Sequence, residues 1–157
     1  ADCLAWATWK NRWKDFTNNP LELSHKIKIN NLTREFNRDS SYNYFKMLVD
    51  KSKNKNNSWA ISWYAFNFLE NRYTLYPLKS LASHLGNDKN ATNYIPSKND
   101  PLQVNIYQKR INVRKIPVEE ILNTKKAYNL FLKNSKGSLL DRIKCFIKVN
   151  IRQNLKK

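Results

Sequence analysis

The sequence predicts an α/β chain that is mainly helical, with a few short strands and an amphipathic helix at its C-terminal end. Three observations carry that expectation. Apolar residues recur at steps of three and four in several segments, as a single helix face requires. Two runs, Tyr73-Thr74-Leu75-Tyr76 and Leu102 to Ile116, are rich in aromatic or β-branched residues, which favour extended backbone. Leu140, Ile143, Ile147, Ile151 and Leu155 line one side of a closing segment, whereas Arg142, Lys144, Lys148, Arg152 and Lys156 fall mostly off that line.

The elements follow in order. Trp6, Trp9, Trp13 and Phe16 are spaced to share one helical stripe, with Lys10, Arg12 and Lys14 pointing elsewhere, and the helix ends before Asn18-Asn19-Pro20. Such a helix either buries its rings or leaves one tryptophan free to stack on a sugar. From Leu21 to Val49 the pattern fits two helices, the second starting near Ser40-Ser41 and turning Tyr42, Phe45, Leu48 and Val49 inward.

Residues 50–57 are almost wholly polar and read as an exposed connection. A buried helix is expected from about 58 to 70, capped by Asn57 or Ser58, with Trp59, Trp63 and Phe66 as its ridge and Ile61, Tyr64 and Phe68 widening the apolar surface. Asn71-Arg72 ends it, and residues 73–76 form a short strand stopped by Pro77. Residues 102–116 add a strand or an extended arm. Pro117-Val118-Glu119-Glu120 opens a helix over Ile121 to Leu132, since proline and acids suit a first turn. Gly137 then breaks the chain and Ser138 caps the final helix.

Composition narrows the function classes. Lys and Arg outnumber Asp and Glu by 29 to 12, a formal charge of +17, so nucleic acid, anionic lipid and nucleotide-sugar phosphates are all electrostatically suitable partners. A coding bias toward Lys, Asn and Ile accounts for the excess equally well. Cys3 and Cys145 stand far apart without a CxxC pair or a histidine cluster, which argues against a disulfide framework or a zinc site and fits a reduced cytosolic compartment. No apolar run approaches the ~18 residues of a membrane span, and no secretory leader is visible. The chain opens on Ala1 and enters a packed-looking segment at once, so further N-terminal sequence is expected.

Four segments carry a family resemblance. Trp6-Ala7-Thr8-Trp9-Lys10 resembles the Trp-Gly-Trp-Ala-Thr-Trp-Lys segment of bacterial family 2 glycosyltransferases of the polysaccharide and cell-surface type. Ser58-Trp59-Ala60-Ile61-Ser62-Trp63-Tyr64 resembles their Asp-Ser-Trp-Ala-Ile-Arg-Trp-Tyr helix, and Leu75-Tyr76-Pro77-Leu78-Lys79-Ser80-Leu81 resembles their Leu-Tyr-Pro-x-Lys-Ser-Leu. His84-Leu85-Gly86-Asn87-Asp88 through Thr92 is similar to their Asn-Ile-Gly-x-Asp-Gly-Ser-Gly-Thr-His loop.

The resemblance implies the C-terminal, acceptor-side part of a GT-A-like enzyme: residues 1–95 the acceptor side, 96–117 an extended connection and 118–157 a C-terminal helical extension. It implies transfer of a sugar from a nucleotide-sugar donor to a cell-surface glycan or glycolipid acceptor. In the full-length enzyme a divalent metal, Mn or Mg, would sit on the donor diphosphate through an Asp-x-Asp motif. Residues 1–157 contain no Asp-x-Asp and no glycine-rich phosphate loop, so neither metal nor turnover is expected of this chain alone. The implied location is cytoplasmic, peripheral on the inner face of the membrane, with 138–157 as a further contact to anionic lipid or as a helix docked on the body.

Departures from the family pattern matter as much. Asn57 stands where the resemblance puts the aspartate that serves as general base, and an amide has no comparable proton affinity; loss of such a base costs ~10²- to 10⁴-fold. Asn93 stands where it puts the histidine that contacts metal or phosphate. Cys3, Leu4 and Ala5 replace a Gly-Trp-Gly run that lets backbone approach the donor. The substrate-binding candidates are Trp6, Trp9, Trp59, Lys79 and Asp88, each with a plainer role: core for the tryptophans, a solvated lysine, a turn aspartate. A non-catalytic pseudoenzyme and a basic module for nucleic acid or another anionic surface remain as alternatives; no helix-turn-helix, RRM or zinc motif supports the nucleic-acid case.

Overall fold

The structure, a computed structural model, describes residues 5–83 and 104–134. Six helices form along it: α1 Lys10–Trp13, α2 Pro20–Ile29, α3 Thr33–Phe36, α4 Tyr44–Ser52, α5 Trp59–Leu69 and α6 Leu122–Asn134.

Asn19 and Pro20 together start α2. The Asn19 carboxamide accepts from the Glu22 N–H at 3.2 Å, and proline at the first helical position gives up no needed donor. Leu23 and Ile27, four residues apart, then point the same way and are buried. Asn43 caps α4 in the same manner, accepting from Lys46 N–H at 3.0 Å. Helix α2 packs on α4 and on α5, α4 and α5 pack on each other, and the single turn α3 is set against α2 and α4. Leu23, Ile27, Phe36, Leu48, Ile61, Trp63, Ala65 and Phe66 fill the space between. Each large side chain removed from water there contributes ~1.5–3 kcal/mol.

The backbone between α3 and α4 reverses by an unusual route. Arg38, Asp39 and Ser40 hold φ values of 53°, 53° and 65° in succession, a left-handed turn made without glycine. A right-handed helix cannot run through it, so α4 begins at Tyr44 and not near Ser40-Ser41 as the apolar spacing suggests. Of the side chains expected to face inward from this stretch, Leu48 is buried, Phe45 and Val49 are half-buried and Tyr42 is exposed.

The α/β, GT-A-like expectation is corrected by this structure. Among the described residues there is no strand and no sheet. Residues 73–76 belong to no helix or strand; the Tyr107 N–H donates to the Ser80 carbonyl at 2.8 Å, and one such bond does not make a pair of strands. The described part of the 102–116 run, residues 104–116, is likewise neither helix nor strand and forms an arm over the body. β propensity alone gives a strand only where a neighbouring edge accepts it.

Two helix boundaries also move. The first helix is the four residues of α1, not a stripe over 6–16, and Pro117 precedes α6 by several residues instead of opening it. Helix α5, expected over 58–70, runs Trp59–Leu69. The final helix expected from 139 onward lies outside the described residues.

Candidate functional site

Two of the segments that carry the family resemblance meet. The Trp6 ring lies 5.2 Å from Trp59 and 5.8 Å from Trp63, centroid to centroid, and Trp13 joins them at 5.6 Å from Trp6 and 5.1 Å from Trp63. Phe16 closes the group edge-on against Trp63 at 5.1 Å and Phe66 at 5.6 Å. Tilted and edge-on rings at these separations gain ~0.5–1.5 kcal/mol per pair beyond burial. Trp6 and Trp59 therefore act mainly as packing, both half-buried in the aromatic cluster.

Trp9 does not share their fate. It precedes α1 in extended backbone, 76% exposed, and borders an open depression with Lys10, Asn11 and Lys14. The depression is lined almost wholly by carbon atoms, so what it offers is a flat apolar stacking face, with Lys10, Asn11 and Lys14 as its neighbours.

Asn57 is exposed just ahead of α5. The neighbouring Asn56 makes the connection instead: its carboxamide donates to the Met47 carbonyl at 3.0 Å and accepts from the Ser58 N–H at 3.1 Å, joining the middle of α4 to the start of α5. Ser58 holds the capping position, and its side chain makes no capping bond. Asn57 is thus left to solvent, with nothing among the described residues engaging its amide.

A polar tie runs beneath this region and went unforeseen. The Lys51 ammonium donates to the buried Ser62 hydroxyl at 2.8 Å and to the side-chain Oδ1 of Asn18 at 2.5 Å, linking α4, α5 and the turn before α2. Burial pushes the Lys51 pKa below its ordinary value, since the charged form loses solvation there. A lone serine inside the apolar run 59–69 is the signal that such a partner exists. Arg72 is a second clamp: it donates to the Arg12 carbonyl at 3.1 Å and covers the Phe66 ring at 4.8 Å, fastening α1 to the end of α5.

Lys79 places its ammonium 4.9 Å above the Tyr107 ring, a cation–π contact on the extended arm. Asp88 and Asn93, with His84 and the rest of the turn-rich loop, lie outside the described residues, as do Cys3, Cys145 and the basic segment 138–157. His25 is exposed on α2.

Helix α6 is seated on the left-handed turn. Arg38 pairs with Glu120 at 3.4 Å and lies 5.4 Å from the Tyr128 ring centre, Glu120 accepts from Lys125 at 2.8 Å, and Asn129 donates to Asp39 at 3.4 Å. The hydrogen bond that Lys125 donates to Glu120 holds the Lys125 pKa above its ordinary value. Inside this seat the Ser41 hydroxyl, Arg38 Nε and Asn129 Oδ1 are buried without a hydrogen-bond partner among the described residues. Nearby, Tyr64 donates to the Phe36 carbonyl at 3.0 Å, and burial raises the phenol pKa of both Tyr64 and Tyr44 well above 10.

For a divalent metal the described residues offer no fit. No group of three or more His, Cys, Asp or Glu side chains among them is placed to hold one, so no chemical step is assigned to a metal here. Among the described residues, too, no helix is long and apolar enough to cross a membrane. Compared with known proteins, the chain matches no family model, no curated protein and no solved structure.

Proposed function

We propose that this chain is the acceptor-side region of a glycosyltransferase that moves a sugar from a nucleotide-sugar donor to a cell-surface glycan or glycolipid, working in the cytoplasm on the inner face of the membrane. What supports it is the ordered resemblance of four segments, together with the packing of the first on the second through Trp6, Trp59 and Trp63.

In this function the chain orients an acceptor and does not activate the donor. Trp9 supplies the exposed ring for a sugar face, and Lys10 and Lys14 supply donors to its hydroxyls or to an acidic substituent. Asn57, exposed at the entrance to α5, hydrogen-bonds an acceptor hydroxyl but leaves its proton in place. Donor phosphates require a half bearing Asp-x-Asp and its Mn or Mg, which residues 1–157 do not supply. Asn57 is also the observation that favours the second reading, a pseudoenzyme that keeps the acceptor surface without chemistry.

Saturation-transfer NMR on the chain with neutral hexose and hexosamine oligosaccharides tests the proposal. Saturation of sugar ring protons is expected, lost in Trp9→Ala and kept in Trp9→Phe. Absence of transfer to every oligosaccharide overturns the acceptor role, and hydrolysis of UDP-glucose by the chain alone overturns the division of labour.

A further inference from the structure

Residues 104–118 combine two features that seldom persist side by side in water. Lys109, Arg110, Arg114 and Lys115 carry four positive charges with no Asp or Glu in the segment. All four are exposed, and none is in an ion pair or hydrogen bond among the described residues. Between and around them Val104, Ile106, Ile111, Val113, Ile116 and Val118 are exposed as well, Val113 at 94%.

The apolar surface continues across the arm. The bond from Tyr107 N–H to Ser80 O sets the segment beside residues 75–81, where Leu75 and Leu81 are exposed and Leu78 is wholly so. Of the two acids that follow the arm, Glu120 is taken up by Arg38 and Lys125, and the exposed Glu119 makes no ion pair with these cations among the described residues. The cations of the arm are therefore not neutralised from within the described fold.

We propose that residues 104–118, with 75–81 beside them, form a surface that lies on an anionic lipid bilayer. The charge decides the sign of the partner, and the aliphatic side chains decide its kind. Val, Ile and Leu sink into the headgroup–acyl boundary while Lys and Arg stay at the phosphates, the division that interfacial segments use. A nucleic acid would meet the same cations but has little use for exposed aliphatic side chains, since base recognition draws on aromatic stacking. The aromatic ring of this arm, Tyr107, already has Lys79 over it. This surface stands independently of the sugar-transfer proposal, because a bare bilayer contains no glycan.

Amide hydrogen exchange on the full chain tests it, with vesicles of phosphatidylcholine alone and of phosphatidylcholine mixed with phosphatidylglycerol. Exchange is resolved peptide by peptide, so protection of 104–118 is read separately from any binding by residues 138–157. Slowed exchange in 104–118 is expected with the anionic vesicles and not with the neutral ones. Replacing the four cations by glutamine is expected to weaken vesicle partitioning by about a hundredfold or more.

A second variant, Leu78→Ser with Val113→Ser and Val118→Ser, keeps every charge and removes side chains that are exposed in the fold. It is expected to lose about tenfold or more in partitioning. The proposal is overturned if the anionic vesicles protect other segments but not 104–118. It is overturned equally if the serine variant partitions like the parent, or if an oligonucleotide protects the segment and vesicles do not.

Discussion

Replacing Ser40 with glycine is expected to raise the stability of the protein. Ser40 is the last of three consecutive left-handed residues, at φ 65°, and its exposed side chain has no hydrogen-bond partner among the described residues. A non-glycine residue in that conformation is disfavoured by ~1–2 kcal/mol, whereas glycine gives back ~0.5–1 kcal/mol through the freedom it adds to the unfolded chain. The balance is a gain of roughly 0.5–1 kcal/mol, since the φ term outweighs the entropy term. For a unit of this size that corresponds to a rise of about 3–6 °C in Tm, read by circular dichroism at 222 nm. Asn31→Gly is the internal control: Asn31 also has a positive φ, of 58°, but asparagine tolerates it, so a change within about 0.5 kcal/mol is expected. A Ser40→Gly protein that melts at the parent temperature or below refutes the argument that the 38–40 turn is strained.

Three further outcomes follow from the packing and the titrating groups. Trp63→Ala removes the ring at the centre of the aromatic cluster and is expected to cost ~3–5 kcal/mol in urea unfolding. Asn56→Ala breaks two hydrogen bonds between α4 and α5 and is expected to cost about 1–3 kcal/mol, whereas the exposed Asn57→Ala should stay within about 0.5 kcal/mol. Equal costs at the two positions would disprove the assignment. The Tyr44 and Tyr64 phenols stay protonated in the fold to higher pH than in the unfolded chain, so the stability they lend is complete below pH 10 and is lost as pH rises past it. Tm measured from pH 8 to 11 should fall steeply above 10, and Tyr64→Phe should flatten that fall.

Much of the helical core can be read from spacing, because burial and period report the same thing. Trp59, Trp63 and Phe66 repeat at helical steps and α5 forms where they do; the polar run 50–57 ends as α5 begins. Spacing misled where a different constraint prevailed. Trp6, Trp13 and Phe16 do gather, but by a short helix and a loop instead of one long helix, since rings of that size pack from several backbone routes. Trp9, at the same period, is left outside. The left-handed run at 38–40 has no glycine to announce it, and the strand expected at 73–76, like the strand alternative for 102–116, needed a ladder partner that no local pattern reveals. Of the candidate site, exposure separated Trp9 and Asn57 from Trp6 and Trp59, a distinction that identical residue types cannot express in sequence.

The gathering of four indole rings has an optical consequence. Trp6, Trp13, Trp59 and Trp63 are close enough for their electronic transitions to couple, so the native state carries its own near-ultraviolet dichroic signature, one that vanishes when the rings separate. Trp9 stands apart from that ensemble and faces water, which makes it the fluorophore most open to iodide quenching. The protein thus reports two events in separate spectroscopic channels without any label: collapse of its interior in the dichroism, and occupation of its outer ring in the quenching.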